Sequence, residues 1–379
     1  MNRKIFILLS FFTVFISLFD IKLIPFYHRL GLDFSNHYGF HHCNLSDQDT
    51  IYKIDTNKCS DFENRKYVYP PFMFQLYNWT TWFNSVDGAY YFYLLIHLIS
   101  FFIIVLIWSE KDKLTILFGL SLYISYPNVF LMERGNSDLL IVLFWSLSYL
   151  SFKKMKYFLT GFFLAISMFA KLYPLYSLIV VFPLILCNAK YFKKISLSLV
   201  FFSTCILLLS PVLWFEYLFE ILPGWSSLVM PPNILAHSLK SLPYFFNAKI
   251  IFGIILLSWL LASYKSGVRR ENWIWGGALA ISTFNNGVSF DYNLVTMFPL
   301  FILGFKHFSL HSKSSQSFTY VALLLVVLGS RYFFQHFDFY PILRLYSFGL
   351  LLTVIPISIF DLGFEMKRYS NKLKFISLS

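Results

Sequence analysis

Apolar stretches separated by short polar ones recur along the whole chain, and this pattern predicts a series of helices. A helix needs about 17–25 apolar residues to cross a bilayer, and many of the stretches approach that length. They lie at about 4–20, 89–109, 114–132, 137–152, 157–170, 172–188, 195–213, 249–264, 273–285, 291–305, 318–334 and 345–362. We therefore predict an all-α integral membrane protein, a polytopic bundle of about 12 (10–13) transmembrane helices.

The polar intervals are too short for a soluble catalytic domain, so residues 1–379 are predicted to form a single membrane domain. The two longest intervals, at about 21–88 and 214–248, are predicted to be extracytoplasmic loops. Each carries an aromatic stretch, which in the first loop is the amphipathic segment 72–84. Aromatic side chains accumulate at headgroup depth, so we predict interfacial helices in both loops, beside a sheltered cavity.

Composition agrees with a membrane protein. Hydrophobic residues form 57% of the chain, charged residues form 13%, and the mean hydropathy is +0.62. Soluble domains carry about 25% charged residues. The first apolar stretch follows Arg3 and Lys4 like a signal peptide, but Asp20 follows it where small cleavage-site residues would be expected. We predict that this helix is retained.

The net charge of +12 could indicate a nucleic-acid-binding protein, but its distribution favours a membrane topology. Lysines and arginines concentrate in alternate loops and in the C-terminal tail, as they do on the cytoplasmic side of membrane proteins. The loop residues are Lys111, Lys113, Lys153, Lys154, Lys156, Lys190, Lys193, Lys194, Lys265, Arg269, Arg270, Lys306 and Lys313. This pattern predicts a multi-pass protein of the inner (plasma) membrane with both termini in the cytoplasm, and no nucleic-acid partner.

The cysteines leave two alternatives open. Cys43 and Cys59 both lie in the first predicted outer loop, where an oxidising environment permits a disulfide, and the alternative is two free thiols. His41, His42 and Cys43 are metal-binding residue types, but no second cluster has ligand spacing. We therefore predict no metal and no other cofactor.

Ionisable residues at the ends of apolar stretches cost several kcal/mol unless they are paired or hydrated, so each is a functional candidate. Those on the predicted outer side fall into a few short segments. They include Asp20, Asp33 with His37, the turn 133–138, the turn 170–174, and the segment 285–292. The alternating topology brings these segments to one face of the membrane.

Arg134 and Lys171 stand at outer helix ends, where the positive-inside rule disfavours them. An arginine binds phosphate through a fork of two donors, and a lysine acts as a point charge, so the pair could form a phosphate site. The competing interpretation is an internal ion pair with Glu133, Asp138 or Asp291, or extension of the side chains to the headgroups.

Asp33 also has two interpretations. A carboxylate in a partly desolvated cavity can act as a general base on a hydroxyl group. The residue would equally suit the N-cap of the segment that follows it.

The order of several motifs resembles that of the GT-C membrane glycosyltransferases, most closely family 87. This family includes bacterial mannosyltransferases that use polyprenol-phosphate mannose. The matching motifs, which place the resemblance over about residues 1–305, are Asp33-Phe34, Tyr69-Pro70-Pro71, the turn Arg134-Gly135-Asn136-Ser137-Asp138, Ala170-Lys171-Leu172-Tyr173-Pro174, and Ser289-Phe290-Asp291-Tyr292.

The resemblance implies a mechanism. A mannose-like hexose on a polyprenyl phosphate is transferred, with inversion, to a lipid or glycan acceptor at the extracytoplasmic face. It identifies Asp33 as the candidate base, with Asp20 in reserve. Arg134 and Lys171 would hold the departing phosphate, where charge accumulates in the transition state. Further substrate contacts are expected from Asn136, Tyr173, Tyr292 and His37.

Two other functions fit a multi-helix membrane protein. A transporter or lipid flippase usually has internal repeats and charged or broken helices near the bilayer midplane, whereas here the charges gather at helix ends and no repeat is found. A polymerase of lipid-linked surface glycans usually has its large loop late in the chain, and here the longest loop is the first.

Overall fold

The computed structural model describes residues 2–23, 31–43, 51–53, 67–186, 189–227, 248–266, 271–284, 291–310, 314–328, 350 and 352. Every regular element in these ranges is helical. The α-helices are α1 (Arg3–Ser17), α2 (Leu32–His42), α3 (Pro71–Leu76), α4 (Val86–Ser109), α5 (Lys113–Ser121), α6 (Tyr126–Arg134), α7 (Asp138–Lys153), α8 (Tyr157–Ala170), α9 (Pro174–Leu186), α10 (Ala189–Leu209), α11 (Pro211–Glu216), α12 (Leu222–Ser227), α13 (Ala248–Ser266), α14 (Glu271–Phe284), α15 (Phe298–Leu310) and α16 (Ser314–Leu328).

The predicted all-α class is confirmed for these ranges. The first eleven apolar stretches each coincide with helical structure, and all but residues 350 and 352 of the twelfth lie outside the described residues. Asp112 caps α5 by accepting a hydrogen bond from the backbone N–H of Thr115 at 2.8 Å, and Ser85 caps α4 in the same way. Helix ends therefore fall where short polar residues satisfy free backbone donors.

Three helices of the described chain are long and apolar enough to cross a membrane: Val86–Ser109, Tyr191–Leu209 and Asn293–Leu310. A fourth span is possible if Lys113–Ile124 and Tyr126–Arg134, which meet at a 48° bend, count as one. Pro127 lies in the first turn of α6 and prevents a continuous helix through this point. Most of the other apolar helices are shorter than a full span, so the twelve-span topology stays a prediction.

The core is aromatic and its indole donors are mostly satisfied. Trp145 donates from Nε1 to the carbonyl oxygen of Trp275 at 2.8 Å, and Trp108 donates to Ser146 Oγ at 2.7 Å. Apolar side chains also cover the outside of the bundle. On α4, exposed apolar residues recur at helical spacing at Tyr91, Leu95, Ile99, Phe102 and Leu106. A helix that is apolar on its outer face as well as its inner one is typical of a lipid-exposed helix.

The two long loops contact each other. Lys53 Nζ lies 2.8 Å from Glu216 Oε1, and the rings of Tyr52 and Tyr217 are 6.0 Å apart. The amphipathic stretch 72–84 is not one helix. α3 ends at Leu76, and its C-cap Tyr77, with a φ of −95° and a ψ of 6°, leads into the 3-10 helix Asn78–Trp82. In the second loop, α11, a π-helical turn (Tyr217–Ile221) and α12 follow one another, and residues 228–247 lie outside the described ranges.

Candidate functional site

Asp33 lies in the first turn of α2 and is not its N-cap. The cap is Gly31, whose φ of 73° is left-handed and suits glycine, so the N-cap interpretation of Asp33 is wrong. The Asp33 carboxylate instead binds Arg134, with Nη2 2.6 Å from Oδ1 and Nε 3.4 Å from Oδ2. Only 7% of the Asp33 side chain and 14% of the Arg134 side chain are exposed, so this ion pair is largely withdrawn from water.

A tight turn positions Arg134, the last residue of α6. Gly135 follows with a φ of 66° and donates its N–H to the carbonyl oxygen of Met132, while Asn136 donates to that of Leu131 at 3.1 Å. These two bonds form the Schellman arrangement that ends many helices at a glycine. A Cβ atom on Gly135 would lie 2.5 Å from Phe34 Cβ, so the turn packs directly on α2.

The close approach at Gly135 gives a testable prediction. Gly135→Ala is expected to lower the free energy of unfolding by at least about 2 kcal/mol, because a left-handed alanine is strained by roughly 1–3 kcal/mol and its methyl group would meet Phe34. The measurement is the thermal unfolding midpoint in detergent. Gly253→Ala is the matched control, since nothing lies within 4 Å of its added methyl group in α13. An equal midpoint in the two variants would contradict the packing of this turn.

Asn136 links the first ion pair to a second one. Its Nδ2 donates to Asp33 Oδ2 at 3.0 Å, and its Oδ1 accepts from Lys171 Nζ at 2.9 Å. Tyr93 holds the Asn136 backbone by donating its hydroxyl to the carbonyl oxygen at 2.7 Å. The amide is therefore oriented by donors and acceptors on both sides.

The second ion pair joins Lys171, which follows the end of α8, to Asp138 at the start of α7. Lys171 Nζ lies 2.5 Å from Asp138 Oδ1, and the Asp138 side chain is fully buried. The Tyr173 hydroxyl donates to the same oxygen at 3.2 Å, and Asn293 Nδ2 donates to the other oxygen. We call Asp33, Arg134, Asn136, Asp138 and Lys171 the charged network.

The charged network holds two carboxylates and two cations, so its formal charges balance. For Lys171, the structure shows the internal ion pair with Asp138 that the sequence left as an alternative. For Arg134 it shows an ion pair with Asp33, an acid that the sequence analysis had not considered as its partner, while the side chain of Asp291 lies outside the described part of the structure. Burying ion pairs costs desolvation that their attraction often does not recover, so such a network is weak evidence for a purely stabilising role.

Four aromatic rings, His37, Tyr67, Tyr69 and Tyr77, form an aromatic wall beside the charged network. The His37 ring stacks on that of Tyr77 at 4.0 Å, and His37 Nδ1 lies 3.2 Å from the Tyr67 hydroxyl. Lys171 Nζ lies 5.7 Å from the centre of the Tyr69 ring, within cation–π range. The Tyr-Pro-Pro motif thus contributes its tyrosine to the site.

Burial lowers the pKa of His37 well below its ordinary value of 6.5, and the nearby His41 and Lys171 lower it further. The folded protein therefore holds His37 neutral while the unfolded chain protonates it near pH 6.5. Unfolding takes up a proton in this window, so the stability contribution of neutral His37 is present above about pH 6.5 and is lost as the pH falls below it.

His37→Phe, which retains a ring to stack on Tyr77, is expected to weaken the loss of stability on acidification. The measurement is the unfolding midpoint at about pH 7.5 and about pH 5.5, in the range where histidine titrates. The quantity compared between wild type and variant is the change in unfolding midpoint from one pH to the other. Loss of the bond to Tyr67 shifts both midpoints alike, so it does not alter this change. An identical pH dependence in wild type and variant would refute the buried neutral histidine.

The other predicted site residues are placed as follows. Asp20 is buried in the 3-10 helix Leu18–Leu23, which packs against α6. Tyr292 falls in the 3-10 helix Asp291–Met297, but its side chain lies outside the described part of the structure. Its neighbour Asn293, which the sequence analysis missed, is the residue that reaches Asp138. Asn293 directly follows the candidate Tyr292 near the start of a helix, and this position was the feature of the sequence that could have identified it.

Three residues around the charged network have a property that only the structure shows. The Tyr77 hydroxyl, the two Glu133 carboxylate oxygens and the Ser137 hydroxyl are buried and make no hydrogen bond with the described residues. A buried polar atom without a partner costs about 1–3 kcal/mol, so such atoms are rare. These four of the nine such atoms in the described residues are the candidates to bind a molecule that enters the site.

The possible metal ligands 41–43 are engaged elsewhere. His41 Nε2 lies 2.8 Å from the Phe74 carbonyl oxygen, and His42 Nε2 lies 3.2 Å from that of Thr80. Cys43 is disulfide-bonded, which excludes a free thiol there, and Cys59 lies outside the described residues. These contacts attach the end of α2 to the segment 71–82.

The sequence matches no protein-family model, and no match is found among curated proteins or solved structures.

Proposed function

We propose that the protein is a membrane glycosyltransferase that moves a mannose-like hexose from a polyprenyl phosphate to a lipid or glycan acceptor at the extracytoplasmic face. The observation that carries the proposal is the charged network. It brings a carboxylate from α2, the arginine fork at the end of α6 and the lysine that follows α8 into one buried site. The order of motifs, which resembles that of family 87, supports the same reaction.

The two cations of the network suit the phosphate of a lipid-linked donor. The Arg134 guanidinium already makes a two-pronged contact with a carboxylate, and a phosphate offers it the same geometry with more charge. Lys171 would add a second positive charge through its Nζ. We expect an entering phosphate to take Arg134 away from Asp33, which would leave the Asp33 carboxylate free to accept a proton.

Once Asp33 is released from Arg134, its carboxylate can accept a proton and sugar transfer can proceed. The acceptor hydroxyl oxygen forms a bond to the anomeric carbon while the bond from that carbon to the phosphate oxygen breaks, which inverts the configuration. The hydroxyl proton moves to Asp33, and the polyprenyl phosphate leaves with its negative charge beside Arg134 and Lys171. Donors placed where charge develops stabilise the transition state more than the ground state. Asp33 later gives up the proton to water.

Contacts at the other end of the bundle support the proposed orientation in the membrane. Glu110 lies 3.0 Å from Lys153 Nζ and 2.7 Å from Lys306 Nζ. All three residues belong to loops that the distribution of basic residues assigns to the cytoplasm. The turns predicted to lie outside meet one another in the charged network. Loops predicted to share a side of the membrane are therefore in contact, as the alternating topology requires. We therefore place both termini in the cytoplasm and the site outside.

The direct test uses the purified protein in liposomes. Polyprenyl-phosphate mannose with a radiolabelled sugar is supplied together with a lipid extract as acceptor, and the label is followed by chromatography. The proposal predicts label in a new lipid or glycan and release of polyprenyl phosphate. Movement of intact donor across the bilayer without release of polyprenyl phosphate would instead identify a flippase.

A further inference from the structure

The Tyr77 hydroxyl is a buried donor without an acceptor in the described residues. Tyr77 is only 1% exposed, and its oxygen is completely covered. The ring itself is firmly held, since it stacks on His37 and lies 6.0 Å from the Phe34 ring. Packing therefore fixes a polar atom in a place where the described part of the chain gives it nothing to bind.

The position of this hydroxyl relates it to the charged network. Burial raises the pKa of Tyr77, and the nearby carboxylates of Asp33 and Asp138 raise it further. The Tyr77 ring stacks on His37, which lies one helical turn after Asp33 on α2, so Tyr77 packs on the face of α2 that carries Asp33. Neither Asp33 nor Asp138 accepts a hydrogen bond from the Tyr77 hydroxyl.

The hydroxyl and the carboxylates together select the group that fits between them. An anion could accept from Tyr77 but could not donate to a carboxylate, and an apolar group would leave the Tyr77 hydroxyl unpaired. A neutral hydroxyl satisfies both sides, because its oxygen accepts from Tyr77 while its hydrogen is donated to a carboxylate. Sugars and glycan acceptors carry such groups.

We propose that Tyr77 is a further substrate-binding residue, whose hydroxyl donates a hydrogen bond to a neutral hydroxyl group of a substrate that in turn donates to Asp33. This rests on the proposed glycosyl transfer. If the bound group is the attacking hydroxyl of the acceptor, Tyr77 orients its oxygen while Asp33 takes the proton. If it belongs to the transferred sugar, Tyr77 contributes to the choice of donor.

Tyr77→Phe separates a binding role from a structural one. The substitution removes only the oxygen and retains the stack on His37. An unpartnered buried hydroxyl is unfavourable for folding, so its removal should leave the unfolding midpoint unchanged or raise it. The matched control is Tyr320→Phe, which removes a hydroxyl that donates to the Phe301 carbonyl oxygen at 2.9 Å, away from the charged network.

The experiment measures sugar transfer and the unfolding midpoint for wild type, Tyr77→Phe and Tyr320→Phe. The inference predicts that Tyr77→Phe loses at least about fivefold in kcat/KM, equivalent to about 1 kcal/mol, without loss of stability. A rise in acceptor KM identifies the acceptor hydroxyl, and a rise in donor KM identifies the transferred sugar. Tyr320→Phe should lower the midpoint and leave transfer unchanged.

Unchanged transfer by Tyr77→Phe, or a midpoint lowered as much as in Tyr320→Phe, would overturn the inference. If the wild type transfers no sugar, the proposed function fails, and Tyr77 is then judged by the shift in unfolding midpoint caused by methyl α-mannoside. A shift present in wild type and lost in Tyr77→Phe supports the binding role. A shift that is equal in both proteins, or absent from the wild type, rejects it.

Discussion

Asp33→Asn is expected to lower the rate of sugar transfer by about 10²–10⁴-fold, the usual contribution of a general base, while the protein still inserts and folds. Asparagine has the shape of aspartate and its carbonyl oxygen can still accept from Arg134 or Asn136, but it cannot take a proton from the acceptor. It also leaves the Arg134 charge without its counter-ion, so the unfolding midpoint should fall and the rate is measured at a temperature where the variant is folded. The measurement is the initial rate of label transfer from polyprenyl-phosphate mannose, with the unfolding midpoint recorded on the same preparation.

Asp20→Asn is the matched control for this prediction. Asp20 is also a buried carboxylate, in the segment Leu18–Leu23 that packs on the helix carrying Arg134. If Asp33 is the base, Asp20→Asn should retain most of the activity. Full activity in Asp33→Asn would remove Asp33 from the role of base and shift the proposal to Asp20.

Arg134→Ala is expected to raise the donor KM or lower turnover by at least tenfold, which corresponds to about 1.4 kcal/mol. The physical reason is loss of the fork that would hold the donor phosphate. The variant also leaves the Asp33 carboxylate buried without its cation, and breaking a buried ion pair in this way destabilises a protein by about 3–5 kcal/mol. Activity must therefore be measured at a temperature where the variant remains folded.

Two further variants separate the structural part of the Arg134 effect from the functional part. The double variant Asp33→Asn/Arg134→Gln removes both charges and should recover stability relative to Arg134→Ala without recovering transfer. Arg134→Lys retains the charge but not the fork, so it should bind the donor more weakly than wild type. A donor KM unchanged in both Arg134→Ala and Arg134→Lys would make the Asp33–Arg134 contact a structural ion pair only.

Apolar length and loop charge were sufficient to predict the helices and the grouping of candidate residues. The turn 134–138 and the turn 170–174 do meet, because each follows the end of an apolar helix on the same predicted side. The N-cap interpretation of Asp33 was wrong, although aspartate is a good N-cap in general. The cap is Gly31, whose N–H donates to the carbonyl oxygen of Glu133 at 2.7 Å, a contact between α2 and α6 that the sequence does not reveal.

The partners within the site could not be predicted from the sequence. Which acid pairs with Arg134 depends on how α2 lies against α6, and sequence spacing does not specify that contact across 101 residues. The same holds for Asn293, which reaches Asp138 from 155 residues away. Tyr77 could be read only as one of several interfacial aromatics, because its distinguishing property is a missing partner. Composition does not determine the number of spans either, because a bend such as that at Pro127 divides one apolar stretch into two helices.

The central claim is that this chain transfers a sugar, and mass spectrometry of the lipids and surface glycans of its host cells tests it most directly. Cells with the gene deleted are compared with cells that carry the wild-type gene or the Asp33→Asn variant. The account predicts that one hexose-bearing species disappears on deletion, returns with the wild type and does not return with Asp33→Asn. An identical set of lipids and glycans in all three strains would contradict it.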